Sequence, residues 1–225
     1  MINYGIIGCG MMGHEHLNNI KLLAGTNISV IFEPNKDMAQ SAFKVAPEAV
    51  FADNLEGLLE FSDLDCLVIA SPNHCHLPQL QKIAEMRSLP ILVEKPLFTA
   101  VDDKQLILNF ARDYKSPVWV AMEYRYMPPI SSFMDAVEAV TGGIEMLTIR
   151  EHRFPFLCKV GDWNRFNTNS GGTFVEKCCH FFDLMRLITK SEPKRIMASA
   201  GQNVNHLDEI YDGKKPDILD NGYVL

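Results

Sequence analysis

Short apolar, β-branched runs alternate with segments of helical hydrophobic period through the first two thirds of the chain, the pattern of βαβ units around a parallel sheet. Residues 4–7 form an apolar run that ends in glycines, after which Leu17, Ile20 and Leu23 recur at helical spacing. Residues 28–32 read as a second buried strand, and Asn35 as the N-cap of a helix carrying Met38, Ala42 and Val45 on one face. Val50 and Phe51 form a short third strand, followed by a small helix about Leu55, Leu58 and Leu59. The fourth strand, 66–70, stops at Ser71-Pro72-Asn73. Its following helix presents Leu77, Leu80, Ile83 and Ala84 to the core, with Pro78 in the first turn, where a missing N–H costs least. Residues 91–93 make a fifth strand, cut short by Glu94-Lys95-Pro96, and a helix bearing Leu106, Ile107, Phe110 and Ala111 leads to a sixth at 118–121.

The pattern changes near Met122. A helix is expected through Ile130, Phe133, Met134 and Val137, then a Thr141-Gly142-Gly143 turn and a longer strand over 144–152. Residues 155–172, rich in Gly, Asn, Asp and aromatics, read as a long loop of the kind that carries function. Residues 174–189 read as one strongly apolar helix and 195–200 as a strand. The fold class predicted is α/β: a Rossmann-type parallel sheet over 1–122, joined to an α+β substrate and oligomerisation domain with a mainly antiparallel sheet over 123–225.

Composition narrows the function. With 47% hydrophobic and 22% charged residues the chain can bury a real core. A net charge of −7 disfavours a phosphate-backbone binder, so no nucleic acid partner is expected. No apolar run approaches the roughly 20 residues that span a bilayer, and the N-terminus lacks signal-peptide sections, so no membrane partner and a cytoplasmic location are expected. The six cysteines form no C-x-x-C pair, which fits a reduced protein. Neither His74-Cys75-His76 nor Cys178-Cys179-His180 has the spacing of a tetrahedral metal site, and no metal is expected.

Gly8, Gly10 and Gly13 form G-x-G-x-x-G between a strand and a helix, and Glu33 stands twenty positions on at the end of the second strand. Gly8 permits the tight turn, Gly10 the approach of a pyrophosphate, and Gly13 close helix packing, while the helix start at Met11 and Met12 offers N–H groups. Glu33 would accept from ribose hydroxyls and repel a 2′-phosphate, favouring NAD, with NADP left open by the nearby Lys36. Ser71, Pro72 and Asn73, with His76 behind them, and Glu94 with Lys95 close strands on the carboxyl edge where ligands of such sheets bind.

Five separated motifs, Gly8 to Gly13, Ser71-Pro72-Asn73, Glu94-Lys95-Pro96, Glu123-Tyr124-Arg125-Tyr126, and Gly171-Gly172 leading to His180-Phe181-Phe182-Asp183, resemble the Gfo/Idh/MocA oxidoreductase family in order and separation. The resemblance implies a two-domain enzyme in which Lys95 contacts substrate and nicotinamide, assisted by a carboxylate and a histidine, here Glu176 and His180. Glutamate stands where the family typically has aspartate. Positions i, i+4 and i+7 put Glu176, His180 and Asp183 on one helical stripe. The implied chemistry is reversible oxidation of a secondary alcohol of a sugar, cyclitol or related polyol. His180 suits the base by its ordinary pKa, and Lys95 suits orientation and charge stabilisation, with the proton acceptor left open between them. Tyr124, Arg125, Trp163, Arg165, Lys177 and Asp183 are candidates for holding the polyhydroxylated substrate.

Two further readings share the scaffold: an NAD-dependent glycoside hydrolase, and a nucleotide-binding protein with little activity. Family members are longer, and the chain ends at residues 220–225 in what reads as a turn entering a new strand. The second sheet is therefore expected to be unfinished, with a homo-oligomer expected only where it is complete. The cofactor half is expected to fold and bind NAD, with full activity in doubt.

Overall fold

The computed structural model describes residues 1–225, which fall into two compact units, Met1–Ala121 and Met122–Leu225. The first unit runs β1 (Ile2–Ile7), α1 (Met11–Leu22), β2 (Thr26–Phe32), α2 (Lys36–Val45), β3 (Val50–Phe51), α3 (Leu55–Leu59), β4 (Cys66–Ile69), α4 (His76–Met86), β5 (Ile91–Val93), α5 (Lys104–Asp113) and β6 (Val118–Val120). All six strands are parallel, in the order β3-β2-β1-β4-β5-β6. A parallel sheet must be covered on both faces, and the continuous apolar runs supply both layers. Ile6, Ile31 and Val68 point to one side and pack with Leu17, Ile20 and Ala42 of α1 and α2. Their neighbours Ile7, Val30 and Ile69 point to the other, with Leu58, Leu80, Ile83 and Phe110 of α3, α4 and α5. Leu23 departs from the expected helical face: α1 stops at Leu22, and Leu23 is left exposed.

The order reverses between β1 and β4, the switch point at which ligands of open α/β sheets bind. Strand ends there are in step, with Ile7 paired to Ile69 and Ile69 to Val93. The ladder continues one bond further through Ala70 N–H to the Ile7 carbonyl and Glu94 N–H to the Ile69 carbonyl, both 2.8 Å. The Lys95–Pro96 peptide that follows is cis.

The second unit contains α6 (Pro128–Thr141), α7 (Asn167–Ser170), α8 (Cys179–Thr189) and an antiparallel pair, β7 (Ala198–Gly201) and β8 (Asn221–Val224). The strand expected over 144–152 is absent: residues 144–159 form no regular element, and Met146 and Phe154 lie exposed. Alternation marks a sequence that fits a sheet, but a strand forms only where another offers a ladder. The long loop is partly helical, with a 3-10 segment at Val160–Arg165 and α7 after it. The single helix expected over 174–189 is two pieces, a π-helical turn at Thr173–Lys177 and then α8.

Polar anchors hold much of this unit. Arg165, 2% exposed, donates from Nε to Glu209 at 2.8 Å and from Nη1 to Asn164 and the Leu157 carbonyl. Glu209 also accepts from Tyr211 and meets His206 Nδ1 at 2.9 Å. Burial raises the Glu209 carboxyl, but the hydrogen bonds from His206, Tyr211 and Arg165 outweigh that and take it down to about 2. Asp220 accepts from the successive N–H groups of Asn203, Val204 and Asn205, which fixes the loop entering β8.

Leu80→Ala, at a position with no exposure, is expected to cost about 2–5 kcal/mol of folding stability. Leu22→Ala, on the exposed side of α1, should stay within about 0.5 kcal/mol. Urea unfolding of the two variants checks the contrast.

Candidate active site

Three loops meet at the carboxyl edge of the first unit. The turn after β1 needs glycine for reasons of space. Gly8 has φ +89°, and a Cβ there would stand 2.6 Å from the Ser71 backbone nitrogen. At Gly13 a Cβ would stand 2.2 Å from the Gly8 carbonyl oxygen. Gly10 differs, since a Cβ there would meet nothing within 4 Å. Two glycines thus close the turn against its neighbours, and the third keeps open space before α1. No side chain caps α1 at Gly10, so the first-turn N–H groups at Met11 and Met12 suit an anion. This cradle fits the pyrophosphate of a dinucleotide.

Glu33 follows β2 and is anchored by both oxygens. Oε2 accepts from Cys9 N–H at 2.6 Å and Oε1 from Asn35 N–H at 2.8 Å. Each carboxylate oxygen can accept more than one hydrogen bond, so this leaves capacity for ribose hydroxyls. The spacing that singles out Glu33 gives no sign of its bond to the glycine turn. Cys9 itself is buried, and burial, with the Glu33 charge beside it, pushes its thiol up to about 12, making it inert.

At the end of β4, Ser71 donates from its hydroxyl to Gln79 at 2.6 Å, and Asn73 is buried at the start of a 3-10 turn leading into α4. His76 has no exposed surface: Nδ1 lies 2.7 Å from the Pro96 carbonyl and Nε2 2.9 Å from the Ser71 carbonyl. The structure therefore gives His76 a place behind the two loops, not on their open side. Glu94, 6% exposed, meets His16 Nε2 of α1 at 2.8 Å. Burial raises the Glu94 carboxyl, but the His16 hydrogen bond and charge, with Lys95 beside it, outweigh that and hold it below the usual carboxylate range. Nothing in the sequence signals the His16 contact, which spans 78 residues.

The second unit gathers another set around α8. His180, 2% exposed, stacks on the Tyr124 ring at 4.2 Å and 10°, and its Nε2 lies 3.4 Å from Glu123. Lys177 donates to the Tyr124 hydroxyl, lies 3.2 Å from Glu151 and sits 4.6 Å over the Tyr124 ring. Arg125 makes a bidentate pair with Asp183. Tyr124, Arg125, Lys177, His180 and Asp183 are thus brought together. Glu176 stands in the π-helical turn, so it and His180 are not one turn apart on a regular α-helix, a correction to the single-helix stripe. Arg165 is paired with Glu209, and Trp163 lies half-buried in the same 3-10 segment.

Comparison with known proteins agrees with this geometry. The family model described as "Oxidoreductase family, NAD-binding Rossmann fold", of the Gfo/Idh/MocA group, matches residues 2–122, and that of the same group's C-terminal alpha/beta domain matches 137–220. The chain belongs to the Gfo/Idh/MocA family. Among Gfo/Idh/MocA relatives, the rhizopine catabolism protein MocA of Rhizobium meliloti is 26% identical over 84% of this chain and 57% of that protein. An inositol 2-dehydrogenase of Corynebacterium glutamicum is 29% identical over 82% and 53%. The chain thus spans little more than half the length of these curated relatives. Of solved structures, the WlbA dehydrogenase of Bordetella pertussis, in complex with NADH and UDP-GlcNAcA, aligns with a TM-score of 0.80 and 20% identity over 98% of this chain and 62% of that one. The myo-inositol dehydrogenase of Lactobacillus casei, in complex with NAD(H) and myo-inositol, gives 0.73 and 17% over 100% and 63%.

Gly10→Ala is expected to leave stability within about 0.5 kcal/mol of the parent while weakening NAD binding, whereas Gly13→Ala should lose both, as calorimetric titration and thermal unfolding will show. A second outcome concerns pH. Because the Glu94 carboxyl is depressed in the folded state, its contribution is present above the ordinary value of about 4.3 and lost as pH falls through the depressed one. Glu94→Gln should therefore cost most stability near neutrality and progressively less in acid, measured by denaturant unfolding across that range.

Proposed function

We propose that this chain carries the NAD site and the reacting groups of a dehydrogenase acting on a secondary alcohol of a sugar, cyclitol or related polyol. The observation that carries the reading is the meeting of the glycine turn, the Ser71 loop and Glu94-Lys95 at one edge of the sheet. NAD, when bound, supplies the two-electron acceptor. Gly8 to Gly13 would hold its pyrophosphate and Glu33 its adenosine ribose, with NAD preferred to NADP because a 2′-phosphate would meet the anchored carboxylate. The nearness of inositol and sugar-nucleotide dehydrogenases among the relatives supports a polyhydroxylated substrate.

Lys95 orients the reacting hydroxyl and stabilises negative charge developing on its oxygen. His180 receives the hydroxyl proton, in the place of a general base; a Lys95 that gave up its own proton would serve the same step. Tyr124, Arg125, Lys177 and Asp183 supply donors and acceptors suited to the remaining hydroxyls. Residues 1–122 are assigned to the cofactor and 123–225 to the substrate.

With NAD and a panel of polyols, NADH is expected to accumulate, and NADP to serve less well. Lys95→Met and His180→Ala should each lower kcat by roughly 10²–10⁴ and leave the dissociation constant for NAD within a few-fold. Release of free sugar without net NADH would overturn the dehydrogenase reading, and an equal loss of NAD binding and turnover in His180→Ala would remove its role as base.

A further inference from the structure

The imidazole of His76 faces two acceptors and no donor. Nδ1 is 2.7 Å from the Pro96 carbonyl oxygen and Nε2 is 2.9 Å from the Ser71 carbonyl oxygen. A carbonyl cannot donate, and a neutral imidazole has a single N–H. In the neutral ring one of these contacts would therefore set a nitrogen lone pair against an oxygen lone pair at hydrogen-bond distance. Both contacts are favourable only when the ring carries two protons. The side chain is fully buried, so each unmade bond counts in full.

The two carbonyls belong to different loops of the cofactor edge. Ser71 follows β4 and lies against Gly8, and Pro96 directly follows Lys95. We propose that His76 is a positioning residue for Lys95 and the cofactor loop: its imidazolium ties the Ser71 and Pro96 carbonyls together, and loss of one proton releases one of the two. The proposal rests on the cofactor-site reading given above and adds a protonic control to it.

The charges that bear on the ring come from the end of β5. Glu94 favours the second proton and Lys95 opposes it, while His16 of α1 acts on the ring through its pair with Glu94; Ser71 and Pro96 contribute backbone oxygens only. Burial lowers the His76 pKa, the two carbonyls and Glu94 pull it back, and the net direction is downward. The clamp is thus complete on the acid side of the ordinary histidine range and half-made above it. Linkage then fixes the sign: NAD, which needs the Ser71 loop in place, binds better to the protonated form and raises the pH at which the ring gives up its proton.

The test uses the full chain labelled with ¹⁵N-histidine. Long-range proton–nitrogen correlation spectra distinguish an imidazolium, with two protonated-type nitrogens, from a neutral tautomer, with one protonated and one pyridine-type nitrogen. The His76 ring is identified by its through-space contacts to Pro96 and Ser71, so no variant is required. The expected result is an imidazolium at acid pH that converts to a neutral ring as pH rises, with the transition moved upward by saturating NAD. Across that transition the dissociation constant for NAD should rise by roughly 10- to 100-fold where the whole of one hydrogen bond to a charged group is coupled to binding. In His76→Gln, or in His76→Asn should the first variant not fold, this pH dependence should flatten. A ring that stays a single neutral tautomer at every pH at which the chain is folded overturns the proposal, as does an NAD profile identical in parent and variant. Should NAD fail to bind at any pH, the cofactor reading falls, and the tautomer pattern alone still decides whether the clamp exists.

Discussion

In a parallel sheet the slanted hydrogen bonds repeat evenly, so a register set at one row carries to the strand ends, and here the row Ile7, Ile69 and Val93 sets it. Because β1, β4 and β5 stop at one height, the segments that leave them emerge side by side. Each soon leaves the ladder: Gly8 and Glu94 make one last backbone bond, to the Phe32 and Ile69 carbonyls, before the glycine turn and Lys95-Pro96, and Ser71-Pro72-Asn73 follows the last bond at Ala70. The apolar layers on both faces hold the row in place, since a slip by one residue would turn Ile6 and Ile7 to the wrong sides. Chemistry at the edge is in this sense a by-product of packing in the middle.

The second unit is organised differently. Its buried hydrophobic side chains are few, among them Val137, Leu184, Ile188 and Ile218, and its irregular stretches are tied by carboxylates to arginine and to backbone N–H groups. Such anchors are directional, so they specify loop shape more than they supply bulk stability. They also leave charged pairs standing close together around α8, where Lys177, Glu151, Arg125 and Asp183 neutralise one another in pairs. Polar groups held in this way present fixed donors and acceptors that need no extra ordering to meet a ligand.

Much of the first unit was legible because its signals are local. The apolar runs located all six strands, Asn35 does cap α2 through Met38 N–H at 3.1 Å, and the glycine turn announced itself by spacing. What was not legible was contact at a distance: His16 with Glu94, His76 with Pro96, Glu33 with Cys9. Periodicity has no term for a side chain that crosses between elements. In the second unit even local reading faltered, for two physical reasons. Residues 144–152 alternate like a strand but find no ladder. Residues 173–189 have one apolar stripe, yet the backbone inserts a π-helical turn before Cys178, which the hydrophobic pattern cannot distinguish from continuous α-helix.

The double anchoring of Glu33 bears on how nucleotide preference could evolve or be engineered. In many sites a selectivity residue projects from the scaffold and can be exchanged alone. Here the carboxylate is also the partner of Cys9 N–H, inside the glycine turn, and of Asn35 N–H at the cap of α2. A basic or apolar replacement, which offers no acceptor, would on the proposed reading change what the pocket accepts and, by the same stroke, orphan the Cys9 amide in the glycine turn. On the proposed reading of the site, selectivity and grip are therefore mechanically joined, and a lineage switching nucleotide would have to find a new acceptor for Cys9 first.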